Sequence, residues 1–153
     1  MIVFADTSAL GSLYLGDEAD SSWIMDTILH GEDPVVVCEL ADVELASLLV
    51  RAERDGRIDS AGVSERLSAY ARHTADDGPI GVVHVATETF AEARALVLQS
   101  SLRTLDAIHL AAARLVSSSS ADTVALLTRD ARQAGAATDL GLVLYEAPSQ
   151  TSG

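Results

Sequence analysis

The chain has 153 residues, the size of one ordinary domain, which buries enough apolar surface to fold without disulfides or a structural metal. Its 23 acidic and ten basic residues give a formal charge of −13, and every basic residue is an arginine. The missing lysine excludes the Gly-Lys-Ser/Thr phosphate loop, Schiff-base catalysis and lysine-assisted aspartyl-phosphate chemistry, and the acidic balance argues against broad electrostatic capture of nucleic acid.

Short apolar runs alternate with longer segments of helical period, the pattern of a parallel α/β sheet covered on both faces, an α/β/α sandwich. The first predicted strand runs from Ile2 to Ala5 and ends at Asp6, and a helix follows from Thr7 to about Leu15. A second helix is expected from Glu18 to Leu29, with Trp23, Ile24, Ile28 and Leu29 at helical spacing and Gly31 as its stop. Pro34 introduces the strand Val35 to Cys38. The helix from about Ala41 to Arg54 carries Leu45, Leu48, Leu49 and Ala52 on one stripe, closes at Asp55-Gly56, and forms a hairpin with a helix from Ser60 to His73. Val82 to Val85 reads as the third strand, with helices from Thr87 to Gln99 and from Thr104 to Val116 beyond it. Ser117 to Ser120 read as a flexible loop before the strand Val124 to Thr128, and a short helix from Asp130 and a strand from Leu142 to Tyr145 end the pattern. Residues 1–146 are expected to make one domain and 147–153 a disordered tail. The longest apolar runs, such as residues 35–38, are too short to cross a bilayer, and the start has no basic region of a secretory leader. The expectation is a soluble, cytoplasmic protein, which suits the single Cys38.

Four acids stand out in this frame. Asp6 and Asp130 fall at or just past the carboxyl ends of two predicted parallel strands, the edge where open α/β sheets place ligands. Glu44 and Asp106 lie inside helices beside apolar stripes, Glu44 next to Leu45 and Leu48, Asp106 next to Leu105, Ile108, Ala112 and Leu115, and both point toward the same rim. Each acid has a plainer reading: Asp6 and Asp130 as helix N-caps, Glu44 and Asp106 as solvated flanks. Four ionised carboxylates gathered on one rim repel by several kcal/mol in a partly buried setting, and divalent cations are the economical compensation. Ligation by oxygen alone favours Mg²⁺ or Mn²⁺ over zinc. The histidines show no paired metal-ligand spacing; His109, three residues after Asp106, reads as a structural group able to orient it, and His84 as a satisfied core residue.

The Asp6-Thr7-Ser8-Ala-Leu opening resembles that of a PIN-domain ribonuclease, and so do the Glu44 helix ending in Arg51-x-x-Arg54-x-Gly56, the Leu-x-Thr-Leu-Asp106-Ala-Ile-His-Leu-Ala block and the Thr128-x-Asp130 after a strand. More narrowly they are similar to VapC-type toxins of bacterial toxin–antitoxin pairs, over about residues 1–146. The resemblance implies that Asp6, Glu44, Asp106 and Asp130 bind the metal, with Thr7, Ser8 and Thr128 orienting carboxylates or water, and with Asp139 as a substitute for Asp130. It implies metal-assisted hydrolysis of RNA, with water attacking phosphorus in line and leaving a 5′-phosphate and a 3′-hydroxyl. Arg103, Arg129 and Arg132 flank two of the acids as candidates for holding phosphates, or as ordinary surface groups. The implied partners are an RNA substrate, a small VapB-like antitoxin suited by the −13 charge, and a second copy in a homodimer. The hairpin stripe of Leu45, Leu48, Leu49, Val63, Leu67 and Tyr70 is either an antitoxin groove or core. Two other readings compete: an inactive PIN-like binding module, and a phosphotransfer or phosphatase domain with Asp6 as nucleophile, which the missing lysine disfavours.

Overall fold

Side chains alternate faces along a strand, so runs such as residues 2–5 and 35–38 deliver apolar groups to both sides of whatever sheet they join. The computed structural model describes residues 1–16 and 21–147, and among these the runs form five strands: β1 Ile2–Ala5, β2 Val35–Cys38, β3 Ile80–Val83, β4 Val124–Leu127 and β5 Val143–Leu144. All pair in parallel in the order β3-β2-β1-β4-β5. The helices are α1 Thr7–Leu15, α2 Ser21–Met25, α3 Leu40–Arg54, α4 Ser60–His73, α5 Thr87–Ser100, α6 Thr104–Ser119 and α7 Ala131–Asp139. Val3, Ala5, Val35 and Val37 face one core with residues of α1 to α4, whereas Phe4, Cys38, Val124 and Leu126 face a second core with α5 to α7. The chain is thus the parallel α/β/α sandwich read from its alternation.

Packing on the first face sets the site. Leu10, Leu45 and Leu49 are fully buried, and each such side chain contributes about 2 kcal/mol. Gly11 lets α1 approach α3, since a Cβ there would meet Leu48 Cδ1 at 3.1 Å. On the other face, Ala107, Leu110, Ala111 and Ala113 bury α6 against α5 and the sheet. The exposed Arg114–Glu92 ion pair at 2.7 Å, about 0.5 kcal/mol at most positions of this kind, is minor beside that burial.

Several elements depart from expectation. The second helix is α-helical only over Ser21–Met25 and widens into a π turn over Asp26–His30; the start of the predicted helix, with Asp17 and Asp20, lies outside the described residues, as does the predicted disordered tail beyond Ala147. Strand β3 sits two residues early, because buried Ile80 pairs with Val35, while the Val85 N–H is taken by the Glu39 carboxylate instead of the sheet. His84 therefore falls past the strand end, and it is an exposed partner of Glu39 at 3.0 Å, not a core residue. The serine loop is the last turn of α6: the Ser118 and Ser119 hydroxyls fold back onto the Leu115 carbonyl at 3.0 and 2.8 Å, which satisfies a helix end and prolongs the helix. Most of the proposed hairpin groove is core, since Leu45, Leu49 and Tyr70 are buried and Leu48, Val63 and Leu67 pack against them. Among the described residues no helix is long and apolar enough to cross a membrane.

Candidate active site

Strands β1 and β4 are neighbours at the centre of the sheet, and their carboxyl ends carry Asp6 and Thr128. The Asp6 N–H donates to the Leu127 carbonyl at 3.1 Å, and its side chain then turns toward the rim. Oδ1 accepts from the Ser8 hydroxyl at 2.6 Å and from the Ala9 N–H at 3.0 Å, capping α1; Oδ2 accepts from the Thr128 hydroxyl at 2.5 Å. The Arg129 N–H donates to Ser8 Oγ at 2.7 Å and the Asp130 N–H to Thr128 Oγ1 at 3.1 Å, so the hydroxyls stitch both strand ends together. Asp6 is almost wholly buried, and that burial pushes its carboxyl above the usual aspartate range despite the Ser8, Thr128 and Ala9 hydrogen bonds that oppose it.

Glu44 enters from α3 and receives two donors on one oxygen, Oε2: the Thr7 hydroxyl at 2.5 Å and the His109 Nε2 from α6. Burial raises the Glu44 carboxyl, but the His109 contact and the Thr7 hydroxyl outweigh it, and the net displacement is downward. His109 thus orients Glu44, not the Asp106 one turn before it. Asp106, half-buried on the first turn of α6, is raised by burial and by the charge of Asp130, with Arg132 and Arg103 opposing. Asp130 caps α7, accepting from the Arg132 N–H at 2.8 Å and the Gln133 N–H at 3.4 Å, and pairs with the Arg132 guanidinium at 3.3 Å. Burial raises its carboxyl, but the Arg132 and Gln133 hydrogen bonds and the Arg132 charge together outweigh it, and the net displacement is downward. For Asp6 and Asp130 the capping and rim readings hold together.

All four acids line one recess of about 80 Å³ together with Thr7, Ser8, His109 and Gln133. Three wider grooves share its walls. One of about 490 Å³ runs between Asp106, Arg103, Arg132 and Asp139; one of about 480 Å³ passes Ser8, Asp130, Arg57 and Arg129; a third, about 550 Å³ and the most apolar, lies beside Glu44, Val43, Leu48 and Leu105. Asp139 therefore stands in an adjoining groove, and Asp130 in the recess. Gln133 and Arg57 escaped the sequence reading; Gln133 had a usable signal, standing three residues after Asp130 on the helix that Asp130 caps.

The donor set is carboxylate and hydroxyl oxygen, which suits a hard divalent cation, and the positive charge of such an ion would compensate the buried Asp6 and the half-buried Asp106. As the side chains stand, no three His, Cys, Asp or Glu groups among the described residues form a ligand set.

A family model described as PIN domain matches residues 3–138. The fold is similar to that of VapC20 of Mycobacterium tuberculosis, described as a sarcin-ricin-loop-cleaving toxin, with a TM-score of 0.64 and 18% identity over 88% of this chain and 94% of that one. It is similar also to PAE2754 of Pyrobaculum aerophilum, with a TM-score of 0.62 and 21% identity over 89% of this chain and 79% of that one. No curated protein matches the chain.

Proposed function

The chain belongs to the PIN domain family, and from that premise we propose that it is a metal-dependent endoribonuclease of the VapC toxin type, hydrolysing phosphodiester bonds in RNA. The observation that carries this reading is the convergence of Asp6, Glu44, Asp106 and Asp130 on one recess, the first and last from just past the ends of β1 and β4, the other two from within α3 and α6. Mg²⁺ or Mn²⁺ would be held by these carboxylates, and when bound it makes water more acidic and offsets charge on the phosphate. Ser8 and Thr128 hold the Asp6 carboxylate, and Thr7 and His109 hold that of Glu44. Arg103 and Arg132 line the groove leading to Asp106, where guanidinium groups suit phosphates on either side of the cut. RNA as the substrate class is supported by the likeness of the fold to an RNA-cleaving toxin.

An antitoxin of the VapB kind is the proposed inhibitor. The apolar groove at Val43, Leu48 and Leu105 borders Glu44, so a basic peptide seated there would cover both an apolar wall and the acids. A cytoplasmic setting and a homodimer complete the reading, and mass measurement in solution checks the dimer.

The experiment is cleavage of total cellular RNA by antitoxin-free protein with Mg²⁺ or Mn²⁺, beside a chelated sample and Asp106→Asn. Discrete fragments that require both metal and Asp106 support the nuclease. Intact RNA from folded, inhibitor-free protein returns the chain to a binding module, and growth inhibition retained by Asp106→Asn does the same.

A further inference from the structure

We propose that Gln133 is a catalytic residue whose carboxamide donates a hydrogen bond to a non-bridging oxygen of the scissile phosphodiester, an inference that rests on the nuclease reading. The argument is an inventory of donors. The recess is lined by four carboxylates, which as ions only accept. An incoming phosphodiester brings more acceptors, so it needs donors there. The Thr7 hydroxyl is given to Glu44, those of Ser8 and Thr128 to Asp6, and His109 Nε2 to Glu44. The Arg132 and Gln133 backbone N–H groups are given to Asp130.

Gln133 is different. It is 3% exposed, lines the recess from the first turn of α7, and its Nε2 has no hydrogen-bond partner among the described residues. A buried amide left unpaired is costly, and it is retained where a ligand completes it. Among the described residues the one other buried side-chain atom in that condition is His109 Nδ1; in a neutral ring that gives Nε2–H to Glu44, it is an acceptor. An amide nitrogen offers no lone pair to a cation, so Gln133 Nε2 serves an acceptor and not the metal. The recess holds a few water-sized groups, which fits a phosphate and is too small for a base.

The test compares wild type, Gln133→Leu and Gln133→Met in single-turnover cleavage of an RNA fragment that wild type cuts, with Mn²⁺ affinity by calorimetry and melting temperature in parallel. Both substitutions remove an unpaired buried amide, so both proteins are expected to fold with melting temperatures no lower than wild type. The expected result is a loss of about 100-fold in rate for both variants with Mn²⁺ affinity unchanged. Rates within twofold of wild type in either folded variant overturn the proposal and leave the nuclease standing. A rate loss that only tracks weakened Mn²⁺ binding also overturns it, by placing the effect on the acids. Absence of cleavage by wild type overturns both readings, and Mn²⁺ binding then separates an inert metal site from no site.

Discussion

The two halves of the recess are held by different chemistry. Asp6 and Glu44 are fixed by neutral hydroxyls, an imidazole and a helix N-terminus, deep against the sheet. Asp106 and Asp130 stand nearer solvent, between Arg103 and Arg132. Yet each half contains one carboxyl displaced upward and one displaced downward. What differs is the source of compensation, which is buried hydroxyls and an imidazole in the first half and exposed guanidinium groups in the second. On the nuclease reading, the inner half sets geometry and the outer half meets the substrate.

Breaking the inner half has the largest expected effect. Asp6→Asn removes charge while keeping an acceptor for Ser8 and Ala9, and it should cost about 1000-fold or more in RNA cleavage, the equivalent of several kcal/mol of metal-borne stabilisation. In chelator at pH 7 the same variant should melt no lower than wild type. A carboxyl raised by burial makes its ionised form a cost to the folded state, present above the raised value and absent below the unfolded value of about 3.8, so any gain from Asn must vanish as pH falls into that range. A variant that melts well below wild type at neutral pH would mean that the hydrogen bonds, not the charge, dominate Asp6.

The outer half should respond more gently and in two separable ways. Asp130→Asn retains the cap and is expected to lose about tenfold in cleavage, while Asp130→Ala also loses the cap, about 1 kcal/mol or about 3 °C in melting temperature. Equal melting temperatures for the two would remove the capping role. Arg132→Ala should raise KM a few-fold and lower the slope of log affinity against log salt by about one, with stability nearly unchanged because its pair with Asp130 is exposed. An unchanged salt slope would return Arg132 to an ordinary surface group.

The smallest effect provides a reference away from both halves. His73 Nδ1 and the Tyr14 hydroxyl share a hydrogen bond at 2.8 Å, and burial, then the neighbouring Arg72 charge, lowers the His73 pKa below the usual 6.5. The unfolded chain thus takes up this proton first, and stability is lost as pH falls from about 6.5 toward the lower folded value. His73→Gln should flatten that part of the stability curve without altering RNA cleavage.

The central sheet and the rim acids were legible because their signals are local. Ile2 to Asp6 reads as a strand ending in an acid, and a parallel sheet puts such ends together. His84 was misread because an alternating pattern does not show where a ladder stops, and the stop depends on the distant Glu39 carboxylate. The serine run was misread because hydroxyls that usually favour loops here satisfy the end of α6. The His109–Glu44 contact depends on how α3 and α6 pack, which no single stretch of sequence specifies.

The position of β1 has a consequence in time. Its partners in the sheet lie on either side of it, but β4 and Thr128 come 122 residues after Asp6. A chain emerging from the ribosome can pair β1 with β2 early, while the other edge of β1 waits until β4 has been made. The Asp6 carboxylate therefore lacks its Thr128 clamp, and the recess lacks one wall, until then. On the nuclease reading, chains ending before residue 124 should not cleave RNA, because they lack β4 and the Thr128 hydroxyl that holds Asp6.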